Sequence, residues 1–168
     1  MNIISLIREI LKSRNIIWDL AKADFRKRFV GSYFGVAWMF VQPVVTVLIY
    51  FLIFQMGFKS VPPVPGVPYV VWLVPGIVPW FFFAESLNLG TSVLSEYNYL
   101  VKKVVFPIEL LPVIKLLSCT LVHGFFLLVM FLFYLFSGKM PQLTWLQVLY
   151  YSFAAAMFGL GLSYFTSA

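Results

Sequence analysis

Charge is scarce in this chain: Asp, Glu, Lys and Arg together make up 11% of its 168 residues, while 62% are hydrophobic. A soluble domain carries about 25% charged residues, so a water-exposed globule is excluded and an apolar surrounding phase is required. Cysteine and histidine occur once each, as Cys119 and His123. A single thiol rules out an internal disulfide and any multi-cysteine metal site, leaving Cys119 as a small buried group. Phosphate-binding glycine loops are missing too: Gly138 and Lys139 are followed by Met140 and lack the upstream glycine. HExxH, CxxC and GxSxG are absent, and the scattered Glu85, Glu96 and Glu109 make no paired-carboxylate site. The residues therefore point to no catalytic, cofactor-binding or metal site, and any energy from ATP has to enter through another chain.

Apolar sequence is what the chain has in quantity. Four stretches carry no charged side chain: Val30 to Phe58, Ser60 to Ala84, Leu116 to Gly138 and Met140 to Ala168. Each is long enough to cross about 30 Å of hydrocarbon at about 1.5 Å per helical residue. They predict an all-α, polytopic membrane protein with spans over 33–57, 69–90, 112–136 and 145–168. Orientation is read from DFRKRFVGSYFGVAWMFVQP, Asp24 to Pro43, where Arg26, Lys27 and Arg28 abut the first apolar run. Cations beside a span are held on the cytoplasmic side. Residues 1–30 are thus expected in the cytoplasm, and alternation puts 95–109 on the same side. Seven of the twelve Lys and Arg residues precede Val30. The net charge of +6 is accordingly assigned to orientation and anionic lipid rather than nucleic acid. A cleavable signal peptide is not expected, because a long mixed-charge segment precedes a run too long for an h-region.

Ile3, Leu6, Ile7 and Ile10 recur at three and four, with Arg8, Glu9 and Lys12 opposite them, the pattern of an amphipathic helix. A second helix follows, with Trp18, Ala21 and Phe25 on one side and Asp19, Lys22 and Arg26 on the other. Asp24 intrudes into its apolar arc, where an i,i+4 pair with Arg28 would shield it. Both helices are expected flat at the headgroup boundary; the alternative is a solvated basic arm. Pro43 should bend the first span, and KSVPPVPGVP, Lys59 to Pro68, reads as a stiff extended link. Pro75, Gly76 and Pro79 predict a break or a re-entrant start in the second span. Glu85, Asn88, Ser92 and Glu96 share one side of that span, either packing against another helix or bordering a pathway. Lys115 is expected to extend its ammonium to the interface, and His123 to make a helix-to-helix hydrogen bond in preference to relaying protons. Gly159 and Gly161 permit close helix approach. In SEYNYLVKKVVFPIELLP, Ser95 to Pro112, the residues Tyr97, Tyr99, Leu100, Val101, Val104 and Phe106 are candidates for burial. They would meet either a partner surface or the headgroups. Aromatic belts and lipid-facing Phe account for the 20% aromatic content, with a sugar-lined path as the alternative.

RKRFVGSYFGVAWMFVQP and LVPGIVPWFFFAESLNLGTSVLSEYNYLVKKVVFPIELLPV closely resemble the membrane subunit of bacterial ABC-2 type polysaccharide exporters. That family exports O-antigen, capsule and teichoic acid chains. The resemblance runs from about Trp18 onward and is most specific over Arg28 to Pro43, Pro75 to Ser86 and Asn98 to Pro112. It implies a six-helix permease, of which this sequence has the first four helices; the apolar end at Ala168 is read as a fragment boundary. It also implies a second permease copy, two ATPase subunits that hold ATP and Mg, and a lipid-linked polysaccharide as substrate. By the resemblance, Trp18 to Phe29, with Trp18, Phe25, Arg26, Lys27 and Arg28, lies on the cytoplasmic face. Glu96, Tyr97, Asn98, Tyr99, Leu100, Lys102, Lys103 and Phe106 would engage the ATPase. Glu85, Asn88, Ser92 and His123 are candidates for pathway or packing roles. The competing readings are ABC-2 export of a small lipophilic molecule or drug, a membrane-embedded transferase acting on lipid-linked sugars, and a non-transporting scaffold.

Overall fold

A computed structural model of the chain describes residues 3–29, 35–97, 107–138 and 142–166. Every regular element among them is helical. Helices α1 (Ile3–Lys12) and α2 (Arg14–Phe29) come first. Four helices long and apolar enough to cross a membrane follow: α3 (Trp38–Gly57), α4 (Tyr69–Glu96), α5 (Ile108–Phe136) and α6 (Leu143–Thr166). The chain is a multi-pass α-helical membrane protein. The second span is longer than the expected 69–90, because the helix continues through Glu96 and takes that carboxylate onto its last turn.

The core is built by α4, α5 and α6. Helices α4 and α5 run antiparallel: Val78 packs with Leu127 and Met130, and Phe82 stacks on the His123 ring at 4.3 Å. Helices α4 and α6 run parallel and meet through small residues at matched i,i+4 positions. A Cβ added at Gly159 would lie 2.9 Å from Ser86 Oγ, and one added at Gly90 would lie 2.6 Å from Ser163 Cβ. With little hydrophobic drive between helices in lipid, close backbone approach of this kind is a main source of association.

The break expected at Pro75 and Pro79 does not occur: α4 is continuous from Tyr69 to Glu96 with both prolines inside it. Pro75 has no N–H, so the carbonyl of Val71, four residues earlier, loses its helical donor. The Tyr134 hydroxyl from α5 donates to that carbonyl at 2.6 Å. A neighbouring helix thereby supplies what the proline removed, the condition under which membrane helices carry proline unbroken. Tyr134→Phe should therefore destabilise the α4–α5 pair by about 1–2 kcal/mol by orphaning a carbonyl, measurable as a lower midpoint in detergent unfolding.

Helix α3 stands apart. None of its residues is buried, and Phe40 meets Phe125 and Phe126 edge-on at 5.0 and 5.7 Å. Its last turns widen: the Phe58 N–H donates to Ile53 O, five residues back, and the Ser60 N–H to Phe54 O. The proline-rich link that follows is non-helical up to Pro68.

Candidate functional site

At the Glu96 end of α4, helix α2 lies against α5. Its docked stripe is Ile17, Ala21 and Asp24, with Arg28 next along it. Spacings of four, three and four put all of them on one face. Ile17, Ala21 and Asp24 are 2%, 0% and 3% exposed, and the first two pack with Val93, Tyr97, Leu110, Leu111 and Ile114. This is not the side expected from Trp18, Ala21 and Phe25. Trp18 is exposed, with the Lys22 ammonium 5.3 Å from its ring centre, Phe25 is half-buried, and Arg26 is exposed. The helix looked poorly amphipathic because its buried stripe carries charge.

That charge is answered from two spans. Asp24 accepts from Lys115 Nζ at 2.5 Å, from the Tyr97 hydroxyl at 3.0 Å and from Arg28 at 3.3 Å. Lys115 also donates to Glu96 at 2.7 Å, and Glu96 takes a second cation, Lys27, at 3.2 Å. Arg28 reaches past Asp24 to Glu85 at 2.7 Å. The result is a chain of alternating sign, Lys27, Glu96, Lys115, Asp24, Arg28, Glu85, joined by five ion pairs. Three cations and three anions leave no net charge, the condition for holding ions at a membrane boundary. Lys115 does not reach water along its apolar stem. It is 2% exposed, because two carboxylates bind it where it stands.

Burial alone would raise the Asp24 carboxyl. The Lys115 hydrogen bond and the charges of Lys115 and Arg28 outweigh burial, and the group lies below its ordinary 3.8. A carboxyl lowered by folding contributes stability that is complete above its unfolded value and lost as pH falls through the native one. We expect α2 to stay docked at pH 4 and to release only in stronger acid. Spin labels at Lys22 and Ser95 would read this as a distance change, and Asp24→Asn should remove the acid step.

Glu96 and Tyr97, expected to face an ATPase, are turned inward in part. Tyr97 is buried, its hydroxyl on Asp24, and Glu96 holds Lys27 and Lys115. Asn98, Tyr99, Leu100, Lys102, Lys103 and Phe106 lie outside the described residues. Arg28, Trp38, Gln42, Glu85, Asn88 and Phe126 help line a crevice of about 430 Å³ beside α3. Ser92 Oγ donates to the Asn88 carbonyl of its own helix. His123 Nε2 shares a hydrogen bond of 2.8 Å with Ser152 Oγ on α6, so its ring ties α4, α5 and α6. Buried Cys119 lies 3.5 Å from the Arg28 guanidinium. Among the described residues no group of His, Cys, Asp and Glu could hold a metal ion.

Reading the sequence alone missed the joining of Asp24 to Lys115. The signal was there, in one acid inside the apolar arc of α2 and one lysine at the start of an otherwise uncharged span. Neither is affordable unless the two meet.

Four helices long and apolar enough to span, with a charged helix clamped against one end of the bundle, define a multi-pass helical membrane protein. No protein-family model matches the chain. Over 109 residues, 65% of its length, it is 31% identical to the O-antigen export system permease protein RfbA of Myxococcus xanthus, covering 40% of that protein. It is 28% identical over 131 and 130 residues to two proteins of the same name from Klebsiella pneumoniae, 76% and 75% of this chain and 48% and 47% of theirs. The chain thus spans less than half the length of these curated relatives. The resemblance to ABC-2 permeases of the O-antigen export type rests on these matches as well as on its motifs.

Proposed function

We propose that this chain is the membrane-spanning part of an ATP-driven ABC exporter that carries a lipid-linked polysaccharide across the bacterial cytoplasmic membrane. It would act as a pair of permease copies with two ATPase subunits. The observation that carries this reading is the similarity to O-antigen export permeases over 65% to 76% of the chain. The cationic run Arg26 to Arg28 before α3 argues for a cytoplasmic amino terminus. Lys27 against Glu96 at 3.2 Å brings α2 and the end of α4, after which the 98–106 segment follows in sequence, to one end of the bundle. That supports a shared cytoplasmic location for both. The apolar and cationic residues of that segment are then the ATPase contact, and the polymer passes between the permease copies while the ATPase hydrolyses ATP.

The test uses the full-length protein in its own cells. Deletion should abolish surface polymer and leave polymer inside. Lys102→Glu with Lys103→Glu, or Phe106→Ala, should lower co-purification of the ATPase by about tenfold, the scale of a lost interface anchor. Unchanged surface polymer on deletion would exclude the exporter. Unchanged co-purification would exclude the loop as the contact.

A further inference from the structure

Helix α2 is joined to the rest of the molecule at the end where the 98–106 segment begins, and it is joined by ions. Glu96 is the last residue of α4. Tyr97, which follows it, is buried with its hydroxyl on Asp24 at 3.0 Å. On the other side of the segment, Leu110 and Leu111 are 0% and 1% exposed and pack with Ile17 and Ala21 of α2. Lys115, one turn further along α5, grips Asp24 and Glu96 together. The end of α4, through Glu96 and Tyr97, and the start of α5, through Leu110, Leu111 and Lys115, are therefore both held to α2.

We infer that the Asp24–Lys115–Glu96 ion chain is a mechanical latch: it makes α2, the end of α4 and the start of α5 one unit. A displacement of any one of the three is then carried into the other two. An ion chain suits this better than apolar packing, which can slide, because alternating charges allow one register only. Moving α2 by one turn would set Asp24 apart from Lys115 and leave buried charges unpaired. Helix α3 has no buried residue and contributes no member to the ion chain, so it lies outside this unit. Asp24 and Lys115 are positioning residues in this scheme. The link from the latch to export rests on the exporter reading; the latch itself does not.

The test separates a latch from a mere stabilising pair. Replacing Lys115 alone strands two carboxylates and destabilises the fold itself, so the informative variant is Asp24→Asn with Lys115→Met. Exchanging both partners of a buried pair for neutral groups leaves stability nearly unchanged. The purified full-length protein, with Cys119 replaced by Ser, carries spin labels at Lys22→Cys on α2 and Ser95→Cys on α4. A narrow distance distribution is expected with the ion chain intact, and one about twofold broader in the double variant, the signature of a lost unique register. In cells, the same double variant should keep its membrane abundance and its co-purifying ATPase but lose surface polymer by about tenfold or more. Lys115→Arg should retain both the narrow distribution and export. An unchanged width overturns the latch, and so does a broadened width with surface polymer intact. If deletion of the wild-type gene leaves surface polymer unchanged, the exporter reading fails, and the label distances still decide the latch.

Discussion

Gly90→Leu should cost about 3 kcal/mol, near the top of the range for overpacking a filled contact. Helix propensity alone would favour the exchange by up to about 1 kcal/mol. The neighbour decides the sign. A Cβ at position 90 would come 2.6 Å from the Ser163 Cβ, and Ser163 is 2% exposed with its hydroxyl donating to the Gly159 carbonyl. A serine has no long arm to swing aside, so helices α4 and α6 have to separate. Separation also undoes the matched contact of Ser86 with Gly159 one turn away and the stack of Phe83 on Phe158 at 5.7 Å. Unfolding in mixed micelles should show the loss as a midpoint shift, with loss of protease protection on α6. In a Gly90→Ala background, Ser163→Gly should restore stability by vacating the space the methyl needs. A Gly90→Leu protein as stable as the parent would mean that α4 and α6 do not meet at this register.

How far such contacts could be read in advance depended on whether one stretch of chain carried the whole signal. The spans were legible because charge-free length is local: α3 and α6 lie within their charge-free runs, and α4 and α5 overlap theirs and extend past them through Glu96 and from Ile108. Gly159 and Gly161 both stood out as sites of close approach, but only Gly159 meets a neighbour, with nothing within 4 Å of a Cβ at Gly161; the partner Ser86 did not stand out, since a serine among apolar residues has many uses. The prolines of α4 misled for the same reason. Pro75 announces a missing donor locally, while its remedy, the Tyr134 hydroxyl, lies 63 residues away from the Val71 carbonyl it reaches. The charged clamp was half visible: Asp24 and Arg28 are one turn apart and were paired on that ground, as the structure has them at 3.3 Å. Lys115 was misassigned because an isolated lysine near a span's end ordinarily extends to water. Its alternative needed a carboxylate from 91 residues earlier. Pairings across such separations are decided by packing of whole helices, for which no single window carries the period.

Lys115→Met is the second large effect expected, about 3 kcal/mol, and its size follows from what remains behind. The ammonium is 2% exposed between two carboxylates, and removing one member of a buried ion pair costs about 3–5 kcal/mol because the other charge stays in place uncompensated. The lower end applies here. Asp24 keeps Arg28 at 3.3 Å and the Tyr97 hydroxyl at 3.0 Å, while Glu96, with its side chain 32% exposed, can turn to water or rely on Lys27. The opposite end of the same ion chain sets the contrast. The Lys27 side chain is 68% exposed, so Lys27→Met removes a screened surface pair of the kind worth about 0–1 kcal/mol, too little to move an unfolding midpoint clearly. A factor of about 30 to 100 between the two variants' folded-to-unfolded ratios, as their difference of about 2–3 kcal/mol implies, would show that stability resides at Asp24 and Lys115. Equal losses would mean that α2 is held by its apolar contacts with α5 and that the ions merely fill the seam. Raising salt to 1 M, where screening acts within about 3 Å, should erase what difference Lys27 makes and leave the Lys115 effect standing, because water and salt have no access to an ammonium enclosed by two carboxylates and the Tyr97 ring.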